Sequence, residues 1–110
     1  PDYYDRAVVF LKQHLPKASF YVFSDDIEWC QAELSCLHEA TFVSRPKLRD
    51  FEEMLLMSIC RHYIIANSSF SWWGAWLGED PHKIVVAPRR WSNLHEDWYH
   101  DIIPSTWKRI

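Results

Sequence analysis

Four short β-rich runs recur about every twenty positions along the 110 residues, with a helical stretch in each gap. They are "SFYVFS", "ATFVS", "HYIIAN" and "KIVVAP", centred near Val22, Phe42, Ile64 and Val85. Strands spaced this way cannot be joined by tight hairpins, because each gap holds a helix that must cross a sheet face. The pattern therefore predicts an α/β fold with a Rossmann-like parallel sheet and flanking helices, spanning residues 1–110 as one domain. The unbroken apolar centres "YIIA" and "IVVA" fit strands covered on both faces.

Helices read from about Asp2 to Leu15, ahead of the first strand, and in the three gaps over "DDIEWCQAEL", over "DFEEMLLMSIC", and from the serines after Asn67 to Gly78. In the first, Ala7, Val8, Phe10, Leu11 and Leu15 form an apolar stripe and Pro16 ends it. After Pro88 the chain becomes polar and aromatic, "RRWSNLHEDWYHDIIPSTWKRI". This end reads as a closing helix and a tail, with Trp91, Trp98 and Trp107 packing back onto the body.

Charge and length exclude several function classes. A net charge of −3 leaves no basic footprint for nucleic acid. No apolar run approaches the ~20 residues of a membrane-spanning helix, and no signal-peptide pattern is present. The chain opens on Pro1 rather than methionine, which suggests a segment of a longer protein. Cys30, Cys36 and Cys60 form no C-x-x-C pair, so they read as free thiols in a reducing compartment. His95 and His100 are five residues apart, which is not the spacing of helical metal ligands.

In open parallel sheets ligands bind beyond the carboxyl ends of the strands. Two such junctions are unusually polar: "FSDD", from Phe23 to Asp26, and "ANSS", from Ala66 to Ser69. Asn67, Ser68 and Ser69 are all good helix N-caps. Hydroxyls, first-turn N–H groups and the positive helix end together suit an anion such as phosphate, although a plain cap with nothing bound is the commoner explanation. Asp25 with Glu28, and Asp50 with Glu53, fit capping boxes, which leaves Asp26 less explained. An acid at such a junction can also hydrogen-bond ribose hydroxyls or a purine's N–H donors. Arg45, Lys47 and Arg49, and Arg89 with Arg90, are either solvated loop charge or an attraction for an anion. Behind the serines, "FSWWGAWL" covers most of a helix circumference with Phe70, Trp72, Trp73, Trp76 and Leu77. It reads as a buried helix, with Gly74 and Ala75 allowing close approach and the packed rings holding the serines in place.

The segments "FYVFSDDIEWC", "DFEEMLLMSICRHYIIANSSFSWWGAWL" and "KIVVAPRRW", in this order and spacing, resemble the C-terminal region of family 11 glycosyltransferases, the α-1,2-fucosyltransferases, closest to the bacterial type. The resemblance runs from about residue 18 to 92. It implies a GT-B fold of two Rossmann-like domains, of which the C-terminal one holds the GDP part of the donor. It also implies transfer of L-fucose from GDP-fucose to the 2-hydroxyl of a terminal β-galactose, with inversion and no essential metal. Carried over residue by residue, it points to Asp25 or Asp26 and Glu53 near the nucleoside. It points to Asn67, Ser68 and Ser69 near the pyrophosphate, with Phe70 lining the site. The partners implied are GDP-fucose and a galactose-terminated glycan. Bacterial members act in the cytoplasm, some at the inner face of the membrane as peripheral proteins.

The family's H-x-R-x-D motif, whose arginine neutralises the leaving diphosphate, has no match in this sequence, and the acceptor-binding domain is missing. These residues alone are therefore expected not to turn over. Two rival readings remain: a stand-alone nucleotide-binding domain, disfavoured by only two glycines, and a noncatalytic carbohydrate-binding module using exposed tryptophans.

Overall fold

The computed structural model describes residues 2–37, 39–43, 50–66, 69–89 and 103–110. The element order is α1 (Asp2–His14), β1 (Tyr21–Val22), α2 (Ile27–Glu33), a 3-10 turn (Ser35–Leu37), β2 (Thr41–Phe42), α3 (Asp50–Ser58), β3 (Tyr63–Ile64), α4 (Ser69–Leu77), β4 (Val85–Ala87) and β5 (Lys108–Arg109). The chain divides into two compact units, Pro1–Glu53 and Met54–Ile110, with α3 crossing the boundary.

In the first unit, α1 forms because Ala7, Val8 and Leu11 fall on one helical stripe, and all three are buried. Burying a side chain the size of Leu11 contributes roughly 1.5–3 kcal/mol. Pro16 follows at once, and the Leu15 N–H closes the last turn on the Leu11 carbonyl at 2.7 Å. β1 and β2 pair in parallel, Tyr21 with Thr41 and Val22 with Phe42. Flanking bonds from Thr41 N–H to Phe20 O and from Val43 N–H to Val22 O extend the ladder by a residue at each end.

In the second unit β4 lies between β3 and β5, and both pairings are parallel. Val85, Val86 and Ala87 are all buried, so β4 is the strand covered on both faces that its apolar run predicted. The strands of the first unit are half exposed and do not share that property. A single sheet was expected. The described strands instead form two parallel sheets, because β2 finds its partner in β1 and β3 finds its partner in β4. β5 is a further departure. The closing helix expected after Pro88 falls in residues 90–102, outside the described residues, but the tail ends as a paired strand. Trp107 is buried beside it, with its ring centroid 6.2 Å from that of Trp72, so this tryptophan does pack back as expected.

α4 sits against its surroundings through small residues. Gly74 and Ala75 are buried, and a Cβ on Gly74 would come within 2.6 Å of the Met57 Sδ. This close approach was expected from the sequence; full burial of the indoles was not realised. Trp73 is 47 % exposed and Trp76 51 %. A helix lying on its small residues leaves its bulky ones at the rim, where Trp72 and Trp76 stack on each other at 5.2 Å between centroids. The far end of α4 is tied down by Lys83, whose ammonium donates to the carbonyls of Ala75 and Gly78 at 2.8 Å each. The Ala75 carbonyl, which also accepts from the Gly78 N–H, lies in the last turn, and the Gly78 carbonyl lies just beyond it, where an α-helix has no partners of its own to offer. Desolvation pushes the Lys83 pKa below its ordinary value. Across the sheet's amino edge, the Ile84 N–H donates to Nδ1 of His62 at 2.9 Å.

Cys30, Cys36 and Cys60 are all free thiols, as read from their spacing.

Candidate functional site

The strand-to-helix junction after β1 is built by local hydrogen bonds. The Asp26 N–H donates to the Ser24 hydroxyl at 3.0 Å, turning the chain at the end of the strand. The Asp26 carboxylate then accepts from the Trp29 N–H at 3.0 Å and caps α2. The expected box used Asp25 and Glu28; the cap is instead Asp26, one residue later. The Ser24 turn consumes the extra residue, and Glu28 becomes part of the helix's first turn. Asp26 is thus explained structurally; both aspartates are exposed, and Asp25 is the one that does not cap α2.

The distinction is measurable. Asp26→Ala is expected to lower stability by about 1 kcal/mol through the lost cap. Asp25→Ala is expected to stay within about 0.5 kcal/mol. Urea midpoints of the two variants check this.

Glu53 is half-buried on α3. α3 already contains Asp50 as its first residue, so Asp50 is not the residue preceding the helix, as the second capping box required. In the second unit, Ser69 is the first residue of α4 and Phe70, half-buried, the second. Asn67 and Ser68 lie outside the described residues, as do Arg45, Lys47, Arg49 and Arg90. Asp25, Asp26 and Glu53 belong to the first unit, and Ser69 and Phe70 to the second.

A cleft of about 260 Å³ opens in the first unit between Lys12, Phe20, Cys36, Glu39 and Thr41. It lies at the amino ends of β1 and β2, the edge opposite Asp25 and Asp26. Burial, together with the Asp5 carboxylate, pushes the Cys36 thiol up to about 11, which disfavours the nucleophilic thiolate. The carboxyl end of β1, where Asp25 and Asp26 lead into α2, is the better candidate for chemistry in this unit. Among the described residues, no group of three His, Cys, Asp or Glu stands close enough to share a metal ion. None of the described helices is long and apolar enough to cross a membrane.

The sequence pattern that defines glycosyl transferase family 11 matches residues 1–110. The chain belongs to glycosyl transferase family 11. Among curated proteins, this family 11 chain is 40 % identical to the alpha-1,2-colitosyltransferase of Escherichia coli, over 98 % of its own length and 38 % of that protein's. It is 39 % identical to the O-antigen biosynthesis glycosyltransferase WbnK of Escherichia coli, over 82 % of its length and 30 % of that protein's. The chain therefore spans about a third of the length of these relatives. No solved structure matches it. The resemblance to family 11 is thus established, while neither relative's name specifies fucose. β5 was missed from sequence, its only signal being the four-residue run "WKRI", in which Trp107 is buried and Lys108 exposed.

Proposed function

We propose that this chain is the donor-nucleotide part of an inverting α-1,2-glycosyltransferase that moves L-fucose from GDP-fucose to the 2-hydroxyl of a terminal β-galactose. The observation that carries the reading is the family match over residues 1–110. As the glycosidic bond breaks, negative charge gathers on the leaving diphosphate and calls for preorganised donors. The start of α4, with the hydroxyls of Ser68 and Ser69, has the chemistry to supply them. Asp25 and Glu53 have the acceptors to engage guanine N–H groups or ribose hydroxyls. Asp26, already committed to capping α2, is the weaker of the two aspartates for that role. The reading requires no metal and situates the enzyme in the cytoplasm or at the inner face of a bacterial membrane.

The 40 % identity to an alpha-1,2-colitosyltransferase favours a second reading of the donor. Colitose is fucose without its 3-hydroxyl, so the same nucleotide site would serve and only contacts to the sugar would differ.

Amide NMR spectra recorded during separate titrations with GDP, GTP and lactose test the reading. GDP is expected to move the amides of the α4 first turn, with lactose leaving them unchanged. Shifts caused by lactose alone would replace this reading with a carbohydrate-binding module. Competition between GDP-fucose and GDP-colitose for the same amides ranks the two donors.

A further inference from the structure

We propose that Arg89 is a cationic ligand for the donor's diphosphate, an inference that rests on the donor-binding reading and adds a residue to it. β3, β4 and β5 are parallel, so their carboxyl ends share one edge. The register pairs Ile64 with Val86, and the next bond runs from the Ile65 N–H to the Val86 carbonyl at 2.9 Å. Continued at the same register, Ala66 is level with Pro88, and Arg89 comes one residue beyond, just past the end of β4, the strand next to β3. Neighbouring strands stand about 4.8 Å apart, a gap that an arginine side chain spans. α4 begins at Ser69, three residues after Ala66 and so within about 11 Å of it along the chain. The positive end of α4 and the Arg89 side chain therefore serve the same edge.

Arg89 is held at its backbone and exposed at its side chain. Its N–H donates to the Ile110 carbonyl at 2.9 Å, and the Ile110 N–H donates back across the ladder to Ala87 O at 3.0 Å. Its own carbonyl accepts from the Arg109 guanidinium. With both main-chain groups engaged, the Cα is fixed while the guanidinium reaches into solvent. Arg109, paired with Ala87 on the adjoining strand, brings a second positive charge to the same strand ends and acts as the positioning residue. A guanidinium offers a planar fork of donors that matches two phosphate oxygens. One phosphate on the helix start and one on Arg89 would divide the charge of a diphosphate between them. This role would give the region a cation of its own, although its sequence carries no H-x-R-x-D arginine.

The test is calorimetric titration of the protein with GDP and, separately, with guanosine, for the unmodified chain and the variants Arg89→Gln, Arg89→Lys and Arg89→Glu. Arg89→Gln is expected to weaken GDP binding about tenfold and to leave guanosine binding unchanged. Arg89→Lys should recover part of the loss, and Arg89→Glu should deepen it. GDP affinity should also fall more steeply with salt in the unmodified chain than in Arg89→Gln. Equal GDP affinity in Arg89→Gln and the unmodified chain would overturn the assignment while leaving the donor reading intact. A parallel loss of GDP and guanosine binding would also overturn it, since a merely structural residue behaves that way. An unmodified chain that binds neither ligand would instead bring down the donor reading itself.

Discussion

Gly78→Ala is expected to destabilise the second unit by about 2–4 kcal/mol, the cost of forcing a methyl into a packed contact with a ring that cannot move. A Cβ at this position would stand 2.9 Å from both Cε2 and Cζ of Tyr63 and closer still to its hydroxyl oxygen. The ring is anchored. The Tyr63 hydroxyl lies 2.9 Å from the Ser58 carbonyl and 2.7 Å from that of Cys60, and its one proton is shared between them at the end of α3. Burial, with smaller contributions from Cys60 and Asp80, pushes Tyr63 up to about 12, so the hydroxyl keeps its proton and remains a donor. Moving the ring aside would break these bonds, and leaving it in place would keep the overlap.

Gly74→Ala provides the contrast. There the obstacle is the Met57 thioether at 2.6 Å, the far part of a flexible side chain, and alanine gains about 1 kcal/mol of helix propensity over glycine. That variant is expected to lie within about 1 kcal/mol of the parent. Urea denaturation measures both. If the Tyr63 oxygen is the main obstacle, adding Tyr63→Phe to Gly78→Ala should cost less than the sum of the two single changes. Equal midpoints for Gly74→Ala and Gly78→Ala would show that the ring yields as easily as the thioether.

Ile65→Ala is expected to lower stability by about 2–5 kcal/mol, through lost transfer energy and the cavity left behind. Ile65 is 0 % exposed and is one of the three largest fully buried side chains, with Val85 and Val86. Its main chain cannot relax freely into the void, because its N–H is bonded to the Val86 carbonyl. Ile59→Ala, on a residue 77 % exposed, is the matched control and is expected to change stability by no more than about 0.5 kcal/mol. Because Ile65 directly precedes the exit of β3 towards α4, Ile65→Ala should also broaden the amide signals of the α4 first turn. Unfolding curves that coincide for Ile65→Ala and Ile59→Ala would mean that the site does not depend on the rigidity of β3.

Much of the architecture was legible in the sequence because its causes are local. The stripe of Ala7, Val8 and Leu11 before Pro16 specifies α1 within the chain itself, and the run Val85–Ala87 is apolar enough to require burial on both faces. The family assignment is legible for a related reason: the segment from Asp50 to Leu77 carries its pattern in contiguous residues. The candidate site was less legible. Which of Asp25 and Asp26 caps α2 depends on whether the Ser24 hydroxyl captures the Asp26 N–H, a choice between two turns that suit the same four residues.

The alternation of helices and strands as far as β4, the parallel sense of the pairings and membership of family 11 follow from the sequence alone, because propensity, periodicity and contiguous motifs act over a few residues at a time. Tertiary structure decided that the strands divide into two sheets, that Trp73 and Trp76 stay exposed while Gly74 and Ala75 take the interior, and that the chain's end becomes β5 beside β4. Each of these turns on which distant segment wins a hydrogen-bonding edge or a packing face. That competition is settled by partners far away in sequence, and no local pattern encodes its outcome.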